Sequence, residues 1–578
     1  MLSSKRLKIR KRLWHLQGEH RLHCKINNEL QHFAACEGNL WKSSTRNEVE
    51  YWLKKDDLSK QVTSGIAVSA LGFIELLRNQ PLLITKAGRE LMEGRELEDL
   101  FLRQLLKWQY PSPNHNSRDY VELFSIHPFL ETLRLVRDLE GLSKVEIALF
   151  ALPFTNYKHY SKVKRAIEKF RIEFSKQAAG VERESWVRSY YQQRVREIYQ
   201  DDIASGRTST REGGDGVAEL IRKKVGNLND YADSSMRYFL ATGLFTFSSS
   251  GRIYRLSLLP ERHAEVDQIL QNTSRQPLAF DDAKNFVMSY LGNPHLPVLP
   301  SDNAPALRER LRVLSSQSPA QVIKLWGVEP SQAQAESNPI VLKSWARRLR
   351  ELAEQYAANV QQLALQKPDA VDEITDMFEQ IRQNKVPERP LFMEWNVWRA
   401  MSALDDGKIV NNFQMDRFGQ PHKGAPGGVA DIQCEYSDFH LSVEVTLSYG
   451  ATQYKMEGEP VNRHVGLLQK AARDRNDARA VYGLFIADRL TPSVVAHFYG
   501  LHHFKTKEFG GAVSVIPLEL NVFLLMLQSA RNQLPIQSSY LRQFLNQAQS
   551  AALKSEDEEQ WYATVKSLAV QWMEKPVP

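Results

Sequence analysis

Residues Gly427–His464 have the sequence GGVADIQCEYSDFHLSVEVTLSYGATQYKMEGEPVNRH, which predicts a strand, a tight turn, a second strand and a polar loop. Apolar and polar side chains alternate through residues 429–436 and again through residues 441–447. Alternation with a period of two residues indicates half-buried strands. Ser437-Asp438 lies between the two alternating segments and suits a two-residue hairpin turn. The segment is therefore expected to form a β-hairpin.

The register of this hairpin follows from the turn. A two-residue turn pairs Ile432 with Val443, so that apolar side chains share one face, as a single register requires. The same register places Asp431 directly opposite Glu444, with their Cβ atoms about 4.5–5.5 Å apart. Two acidic residues are therefore expected side by side on the polar face.

Like charges at such a distance repel each other, and a bound divalent cation turns that repulsion into coordination. Mg²⁺ prefers one or two carboxylates together with water and phosphate oxygens, and such an ion activates water beside a phosphodiester. The sequence therefore predicts Mg²⁺ as cofactor, with Asp431 and Glu444 as its ligands. The alternative is a solvated polar face whose acids bind no metal.

A further acid, Glu394, lies in LFMEWNVWRAMSAL, which is predicted to be an aromatic-rich helix before the hairpin. A helix acid, a strand acid, a hairpin and a second strand acid follow the order of the PD-(D/E)xK nuclease core, which this region resembles. Glu444-Val445-Thr446 has the form of that motif's E-x-K element, but the lysine is replaced by Thr446 and the preceding proline by Ala430. The resemblance therefore leaves the lysine's role to His464 or Glu457.

A more specific resemblance extends over Glu444–His464, EVTLSYGATQYKMEGEPVNRH. This segment is similar to the active-site segment of the AlwI family of Type IIS restriction endonucleases, which includes BstNBI-like nicking enzymes. Phe101–Ser112 (FLRQLLKWQYPS) and Gly141–Phe150 (GLSKVEIALF) also resemble that family, and the likeness extends from about Leu40 onward. The resemblance implies active-site roles for Glu394, Asp431, Glu444, Glu457 and His464, with Glu394 and Glu457 as additional metal ligands. The register supports only Asp431 and Glu444 independently.

The composition is that of a globular protein with room for about three or four domains. The chain has 578 residues, of which 42% are hydrophobic and 25% charged, and a net charge of +7. The positive charge suits a polyanionic partner such as double-stranded DNA. Three cysteines and the lack of a membrane-spanning or secretory segment favour the cytoplasm of a prokaryote.

The first half of the chain contains two similar patterns of helices followed by a hairpin, at Glu48–Leu91 and Asn227–Leu258. Both patterns are typical of winged helices, which bind DNA or protein. Lys5–Arg12 (KRLKIRKR) is a basic segment that either contacts phosphates or stays solvated. Ala204–Gly216 is rich in glycine, serine and threonine and is predicted to be a loop.

Between these patterns the chain is predicted to be mostly helical. Ser143 and Glu146 have the spacing of a capping box at a helix start. Tyr157–Arg165 mixes aromatic and basic residues, a composition that suits phosphate contacts or a solvated helix face. The candidate DNA-binding residues, chosen by position alone, are Lys107, Lys158 and Arg237.

The fold class expected is multidomain α+β. Residues 1–290 form a mostly helical recognition region with two winged-helix-like modules, and residues 291–388, which begin at the Pro-rich Leu291–Pro300, form a helical linker domain. Residues 389–578 form an α/β PD-(D/E)xK-like nuclease domain, with a helix at Val461–Arg475 and further strands at Arg479–Ala487 and Val513–Pro517. His497, His502 and His503 lack partner cysteines and are expected at the surface.

The function expected is that of a Type IIS restriction endonuclease, a site-specific deoxyribonuclease that reads a short asymmetric site and cuts outside it. One such site cuts one strand, so the chain alone is expected to nick DNA. A double-strand break then needs a second nuclease domain, from a transient self-dimer or a separate small subunit. The alternatives are a winged-helix DNA-binding regulator with an inactive nuclease-like domain, and a structure-selective repair nuclease.

Overall fold

The computed structural model describes residues 22–573, apart from residues 56–66, 78, 114, 116–117, 179, 210–214, 251–252, 406 and 426–427. The chain divides into two compact units, Met1–Leu349 and Arg350–Pro578. The three-part division of the chain at residues 290 and 388 stays a prediction. The basic segment Lys5–Arg12 and the middle of the predicted loop Ala204–Gly216 lie outside the described residues. None of the described helices carries an apolar run that would reach across a lipid bilayer.

The first unit is mostly helical and contains two small antiparallel ladders. Strand β1 (Ile74–Glu75) pairs with β2 (Leu83–Ile84), and β3 (Phe245–Ser250) pairs with β4 (Ile253–Leu258). Two π-helical segments (Ile147–Ala151 and Phe286–Leu291) and three 3₁₀ segments (Tyr157–His159, Pro260–Arg262 and Pro300–Asp302) interrupt the α-helices. The α-helices are α1 (Leu22–Ala34), α2 (Ser43–Lys55), α3 (Ala67–Ala70), α4 (Lys86–Glu93), α5 (Leu97–Lys107), α6 (Arg118–Leu123), α7 (Pro128–Asp138), α8 (Lys144–Glu146), α9 (Tyr160–Ser175), α10 (Val181–Ile198), α11 (Gln200–Ala204), α12 (Val217–Leu240), α13 (His263–Asn272), α14 (Ala283–Asn285), α15 (Ala304–Ser316), α16 (Ala320–Trp326), α17 (Pro330–Ala335) and α18 (Pro339–Leu365), the last of which continues past the boundary between the units.

Both predicted patterns of helix followed by hairpin are present in this unit. In the first pattern, Thr85 caps α4 by accepting a hydrogen bond from Gly88 N at 3.1 Å, and its hydroxyl donates to Gly72 O at 2.7 Å. Gly94 ends α4 in a left-handed conformation, which glycine adopts without steric cost. In the second pattern, α12 leads into the β3–β4 hairpin. The assignment of these modules as winged helices stays a prediction.

The second unit is built on a mixed five-stranded sheet with the order β11-β10-β9-β8-β5. Strands β5, β8 and β9 are antiparallel neighbours, whereas β9, β10 and β11 run parallel. The strands of this unit are β5 (Lys408–Asn411), β6 (Gln414–Met415), β7 (Pro421–Lys423), β8 (Ile432–Glu435), β9 (Phe439–Thr446), β10 (Ala480–Ala487) and β11 (Val515–Glu519), and its helices are α19 (Pro368–Arg382), α20 (Arg389–Leu404), α21 (Ala451–Asp474), α22 (Pro492–Leu501), α23 (Leu520–Ala530), the 3₁₀ segment Arg531–Gln533, α24 (Ser538–Ala552) and α25 (Glu558–Val570).

The hairpin of β8 and β9 has the register that the sequence predicts. Ile432 pairs with Val443, and Tyr436 N donates to Phe439 O at 3.0 Å across the two-residue turn. The rings of Tyr436 and Phe439 stack with their centroids 4.1 Å apart. Local pairing and turn chemistry therefore define this element.

The burial of β9 differs from the prediction. Alternation predicts a half-buried strand, but every residue of β9 is buried. Helices α20 and α21 both pack against β9, so both faces of the strand are covered. The polar side chains Ser442, Glu444 and Thr446 therefore lie inside the fold rather than on a solvated face.

The segment after β9 also differs from the prediction. The sequence predicts a polar loop and a helix only from Val461, but α21 already begins at Ala451 and contains Pro460. Proline disfavours a helix interior because it lacks the backbone N–H. Here the first turn of α21 is fixed by Gln453, whose amide donates to Ser448 O at 2.9 Å and to Arg489 O at 2.8 Å. Contacts between distant segments therefore outweigh the local signal.

Candidate active site

Asp431 and Glu444 form the acidic centre of the hairpin. Asp431 directly precedes Ile432, and Glu444 directly follows Val443, the residue that pairs with Ile432. Asp431 and Glu444 are 2% and 5% exposed. Val445 N donates to Asp431 Oδ2 at 2.9 Å, and Asn412 N donates to the carbonyl oxygen of Asp431 at 3.0 Å. Both the backbone and the carboxylate of Asp431 are thus held in place by neighbouring backbone groups.

His464 joins this acidic pair from the following helix. Its Nδ1 lies 2.9 Å from Glu444 Oε1, and both side chains are buried. Ser442 Oγ approaches the same carboxylate oxygen at 3.4 Å. Because α21 packs against β9, the histidine comes back to the strand twenty residues after Glu444. The structure therefore brings His464 into contact with Glu444, and the backbone of Val445 into contact with Asp431.

Glu394 and Glu457 occupy different positions. Glu394 lies on α20 and is 7% exposed, and its Oε2 accepts a hydrogen bond from Ala425 N at 3.4 Å. It thus faces the segment that leads into the Asp431 strand. Glu457 lies on α21 seven residues before His464, on the same side of the helix but about two turns, or roughly 10 Å, away along its axis.

The donor set fits a hard cation with an incomplete protein shell. Among the described residues no group of three or more histidine, cysteine, aspartate or glutamate side chains is arranged to hold a metal ion. The opposed pair Asp431 and Glu444 supplies the one or two carboxylates that Mg²⁺ takes from a protein when water and phosphate complete its shell.

Thr446, which stands where the nuclease motif has lysine, has a structural use. Its Oγ1 accepts a hydrogen bond from Ser448 N at 3.0 Å, and the residue is 6% exposed. The hydroxyl thus stabilises the turn that follows β9. A threonine carries no positive charge, so any cation at this edge of the sheet must come from another residue.

Three residues that support the site are not singled out by the sequence. Asn412 donates its amide to Ala430 O at 2.8 Å, Ser442 lies against Glu444, and Gln453 fixes the start of α21. Each is an ordinary polar residue in sequence, and its role depends on which backbone groups the fold brings near. Of the three, only Ser442 could be identified from the sequence, because it shares the polar face of β9 with Glu444.

A second charged cluster lies at the other end of the β8–β9 hairpin. Asp477 accepts hydrogen bonds from the guanidinium of Arg479, the shortest at 2.6 Å, and lies 2.8 Å from His440 Nε2. Hydrogen bonds from Arg479 and then from His440 hold the pKa of Asp477 well below its usual range. The cluster ties the turn before β10 to the hairpin, since Arg479 also donates to Tyr436 O at 2.7 Å.

The three candidate DNA-binding residues have different environments. Lys107 is fully buried, and its ammonium donates to the carbonyl oxygens of Tyr290, Leu291 and Asn293 at 3.1, 2.7 and 2.5 Å. Because this ammonium makes its hydrogen bonds inside the first unit, Lys107 is not positioned to contact DNA. Lys158 is exposed in the 3₁₀ segment that precedes α9, and Arg237 is half-buried on α12.

The histidine cluster near α22 is not uniformly at the surface. His503 is exposed, but His502 is 5% exposed and packs against Trp561, with ring centroids 5.2 Å apart. The prediction of a surface position is therefore wrong for His502. The residue ends α22 and faces the sheet, where its Nε2 lies 3.4 Å from Val515 O.

The chain belongs to the AlwI restriction endonuclease family, whose model matches residues 69–526. It is therefore a sequence-specific DNA endonuclease, as the sequence predicts at this level.

A comparison with curated proteins finds no match. Among solved structures, the chain is similar to the small subunit of the heterodimeric restriction endonuclease R.BspD6I, with 25% identity, a TM-score of 0.29 and coverage of 34% of this chain and 98% of that chain. It is also similar to the BpuJ1 endonuclease binding domain in complex with modified DNA, with 14% identity, a TM-score of 0.31 and coverage of 50% and 98%. At these TM-scores neither similarity bears on the fold or function of this chain.

Proposed function

We propose that this protein is a Type IIS endonuclease that hydrolyses a phosphodiester outside its recognition sequence with Mg²⁺. The observation that carries the proposal is the position of Asp431 opposite Glu444, with His464 in contact with Glu444. An acidic pair inside a fold is costly unless a cation or a proton compensates it. Asp431 and Glu444 would supply the one or two carboxylates that Mg²⁺ takes from a protein, with water and phosphate oxygens completing its shell.

The carboxylates of Asp431 and Glu444 would hold the ion, and Glu394 and Glu457 are assigned as additional carboxylates that would bind it directly or through water. When bound, Mg²⁺ polarises the phosphodiester and makes a water molecule more acidic. Asp431 is pre-oriented by the Val445 N–H, so its carboxylate does not have to be ordered when DNA arrives.

His464 is assigned the task of accepting a proton from the attacking water. With Nδ1 donating to Glu444 Oε1, the neutral imidazole carries its lone pair on Nε2. The glutamate fixes this tautomer and stabilises the imidazolium that forms. The histidine thereby takes the part that a lysine plays in the PD-(D/E)xK motif, and this domain is proposed to be a variant of that core.

Recognition is assigned to the first half of the chain. The two modules of helix and hairpin are proposed to be winged helices that present side chains to the major groove, where each base pair shows a distinct pattern of donors and acceptors. Lys158 and Arg237 are proposed to contact the DNA backbone. The helical segment from Ala304 to Arg382 is proposed to hold the cleavage site at an offset from the recognised bases.

One chain is proposed to cut one strand, because the segment Glu444–His464 occurs once in the sequence. Cleavage of both strands then needs a second nuclease domain, from another copy of this chain or from a small subunit. The expected product of the chain alone is a nicked duplex.

Incubation of a plasmid library with the protein and Mg²⁺, followed by run-off sequencing of both strands, tests the proposal. The expected result is a nick at one fixed offset from one asymmetric sequence. Specific binding without cleavage would support an inactive DNA-binding regulator, and sequence-independent cutting of branched DNA would support a repair nuclease.

The acids are tested by Asp431→Ala and Glu444→Ala. Each is expected to reduce cleavage at least about 1,000-fold, because loss of a metal ligand removes about 4 kcal/mol or more of transition-state stabilisation, while sequence-specific binding persists. Glu435→Ala is the matched control, since Glu435 lies on β8 at the opposite end, where it pairs with Arg479 at 3.1 Å. If either active-site variant cleaves like this control, the site is assigned wrongly.

A further inference from the structure

The edge of the sheet where β9 and β10 end carries an exposed arginine. These two strands are parallel, and Thr446 at the end of β9 pairs with Ala487 at the end of β10. Parallel partners point to the same side, so Phe485 and Ala487 share the face of Glu444 and Thr446. Arg489 lies in the bend that follows β10, two residues past Ala487, and is exposed. It therefore follows the edge of the sheet at which Thr446, the residue in place of the motif lysine, ends β9.

The side chain of Arg489 is held at this edge by an aromatic ring. Its guanidinium carbon lies 5.1 Å from the centroid of the Tyr449 ring, and Tyr449 is 54% exposed. Such cation–π contact restrains the guanidinium without consuming its N–H donors. The neighbouring acid Asp488 is bound by Arg382 at 2.6 Å, which compensates the negative charge next to Arg489 in sequence.

The backbone of Arg489 is held by Gln453. This glutamine is fully buried, and its Nε2 donates to Arg489 O at 2.8 Å and to Ser448 O at 2.9 Å. Its Oε1 accepts a hydrogen bond from Thr491 N at 2.7 Å. One side chain thus joins the end of β9, the start of α21 and the loop after β10.

We propose that Arg489 binds a DNA phosphate at the cleavage site and supplies, from the neighbouring strand, the positive charge that Thr446 does not. Gln453 and Tyr449 are positioning residues that hold its backbone and its guanidinium. A guanidinium matches a phosphate because it donates two parallel hydrogen bonds and stays charged. The inference rests on the proposed function, because it takes Asp431 and Glu444 as the place of cleavage.

Arg489→Ala and Arg489→Lys test the phosphate contact, using a duplex that carries the mapped recognition and cleavage positions. For Arg489→Ala, cleavage at saturating DNA is expected to fall at least about tenfold. The slope of log binding constant against log salt concentration, measured in EDTA, is expected to fall by about one unit. Arg489→Lys is expected to retain the salt slope but only part of the cleavage rate, because an ammonium does not bind a phosphate through two parallel bonds.

Arg475→Ala is the matched control for charge. Arg475 is also exposed, and it follows the end of α21 shortly before β10 begins, at the opposite edge of the sheet. Its loss changes the net charge equally, so equal losses of cleavage and salt slope in both variants would overturn the proposal.

Gln453→Ala tests the positioning role against Gln469→Ala, a glutamine of the same helix whose amide donates to Phe509 O at 3.0 Å. Gln453→Ala is expected to lower cleavage as Arg489→Ala does, with unchanged binding of the recognition sequence, and the double variant is expected to be no worse than the worse single variant. A loss of cleavage that merely tracks the thermal midpoint in both glutamine variants would contradict this role.

The outcome is distinguishable from failure of the proposed function. Cleavage by Asp431→Ala or Glu444→Ala would show that the site is elsewhere. If those variants are inactive while Arg489→Ala cleaves with the normal rate and salt slope, the site stands and only the assignment of Arg489 is wrong.

Discussion

At the residue scale, the acidic pair Asp431 and Glu444 carries an electrostatic cost. Two carboxylates close together repel each other, and burial reduces the screening of that repulsion by water. The Val445 N–H offsets part of this cost at Asp431, and His464 offsets part at Glu444. These partners are donors at fixed distances from one oxygen of each carboxylate. A cation shared with substrate would remove the remaining repulsion, which couples occupancy of the site to the arrival of DNA.

Lys107 shows why position along the sequence did not identify a DNA contact. Its helix, α5, is buried from Leu100 to Lys107, so a charged residue there has no solvated face. Burial shifts the pKa of Lys107 well below its usual range, while three carbonyl oxygens accept its hydrogen bonds. The sequence shows the lysine, but its acceptors lie more than 180 residues away.

Lys107→Met is therefore expected to destabilise the protein without a direct effect on DNA binding. It removes three hydrogen bonds to carbonyl oxygens from a buried site, which is expected to cost about 2–4 kcal/mol of the free energy of unfolding. The measurements are the thermal midpoint and the DNA affinity at a temperature where both proteins are folded. Lys158→Met, the same change at an exposed lysine, should leave the midpoint unchanged. A loss of affinity with an unchanged midpoint at Lys107 would restore it as a DNA contact.

At the scale of secondary-structure elements, the features that the sequence predicted correctly are those that depend on residues close together in the chain. The β8–β9 hairpin was predictable in register because alternation and a two-residue turn are local signals. The start of α21 was not, because Gln453 fixes it through Ser448, Arg489 and Thr491 on separate segments. The full burial of β9 was missed for the same reason, since α20 and α21 supply the cover. Asp431 and Glu444 could be placed together from sequence, whereas the contact with His464 required the fold.

The contribution of His502 to the stability of the fold depends on pH. Burial, and to a lesser extent the neighbouring His503, lowers the pKa of His502 from 6.5 to about 4. As the pH falls through 6.5 the unfolded chain gains a proton that the folded chain does not. The stability contributed by neutral His502 is therefore complete above about pH 6.5 and is lost as the pH falls toward 4, by about 3 kcal/mol in total.

His502→Gln is expected to reduce this pH dependence, because an amide can donate to Val515 O but does not titrate in this range. The thermal midpoint of the natural protein should fall more steeply between pH 7.5 and pH 5 than that of the variant. His503→Gln, at the adjacent exposed position, should keep the steep dependence. Identical slopes for the natural protein and His502→Gln would mean that His502 is protonated without cost in the folded state.

At the scale of the whole molecule, long-range contacts determine how segments group. The Pro-rich segment starts at Leu291, whose carbonyl oxygen accepts hydrogen bonds from Gln104 and Lys107. A Cβ on Gly72 would lie only 2.7 Å from Leu291 Cβ. This close approach requires glycine at position 72, whose φ is also positive. Proline marks where a chain stops being regular, but not which unit the following residues join.

The number of cleavage sites in each chain determines whether the protein nicks a duplex or cuts both of its strands. If each chain carries one site, supercoiled plasmid is expected to become nicked circles at a rate proportional to protein concentration. Linear DNA formed by a transient self-dimer should appear at a rate that rises more steeply with concentration. If a separate small subunit cuts the second strand, linear product should be absent at every concentration of this chain alone. Gel electrophoresis of a time course at several concentrations measures both products.

Mixtures with Asp431→Ala separate these routes. In a self-dimer, the inactive copy pairs with the active one, so the mixture should keep the nicked product while linear product falls toward the fraction of fully active pairs. Each copy contributes one acidic pair. The loss of linear product in a self-dimer therefore depends only on the ratio of active to inactive copies. Linear DNA formed in direct proportion to the active chain, regardless of added Asp431→Ala, would instead mean that one chain cuts both strands, and the assignment of a single cleavage site would fail.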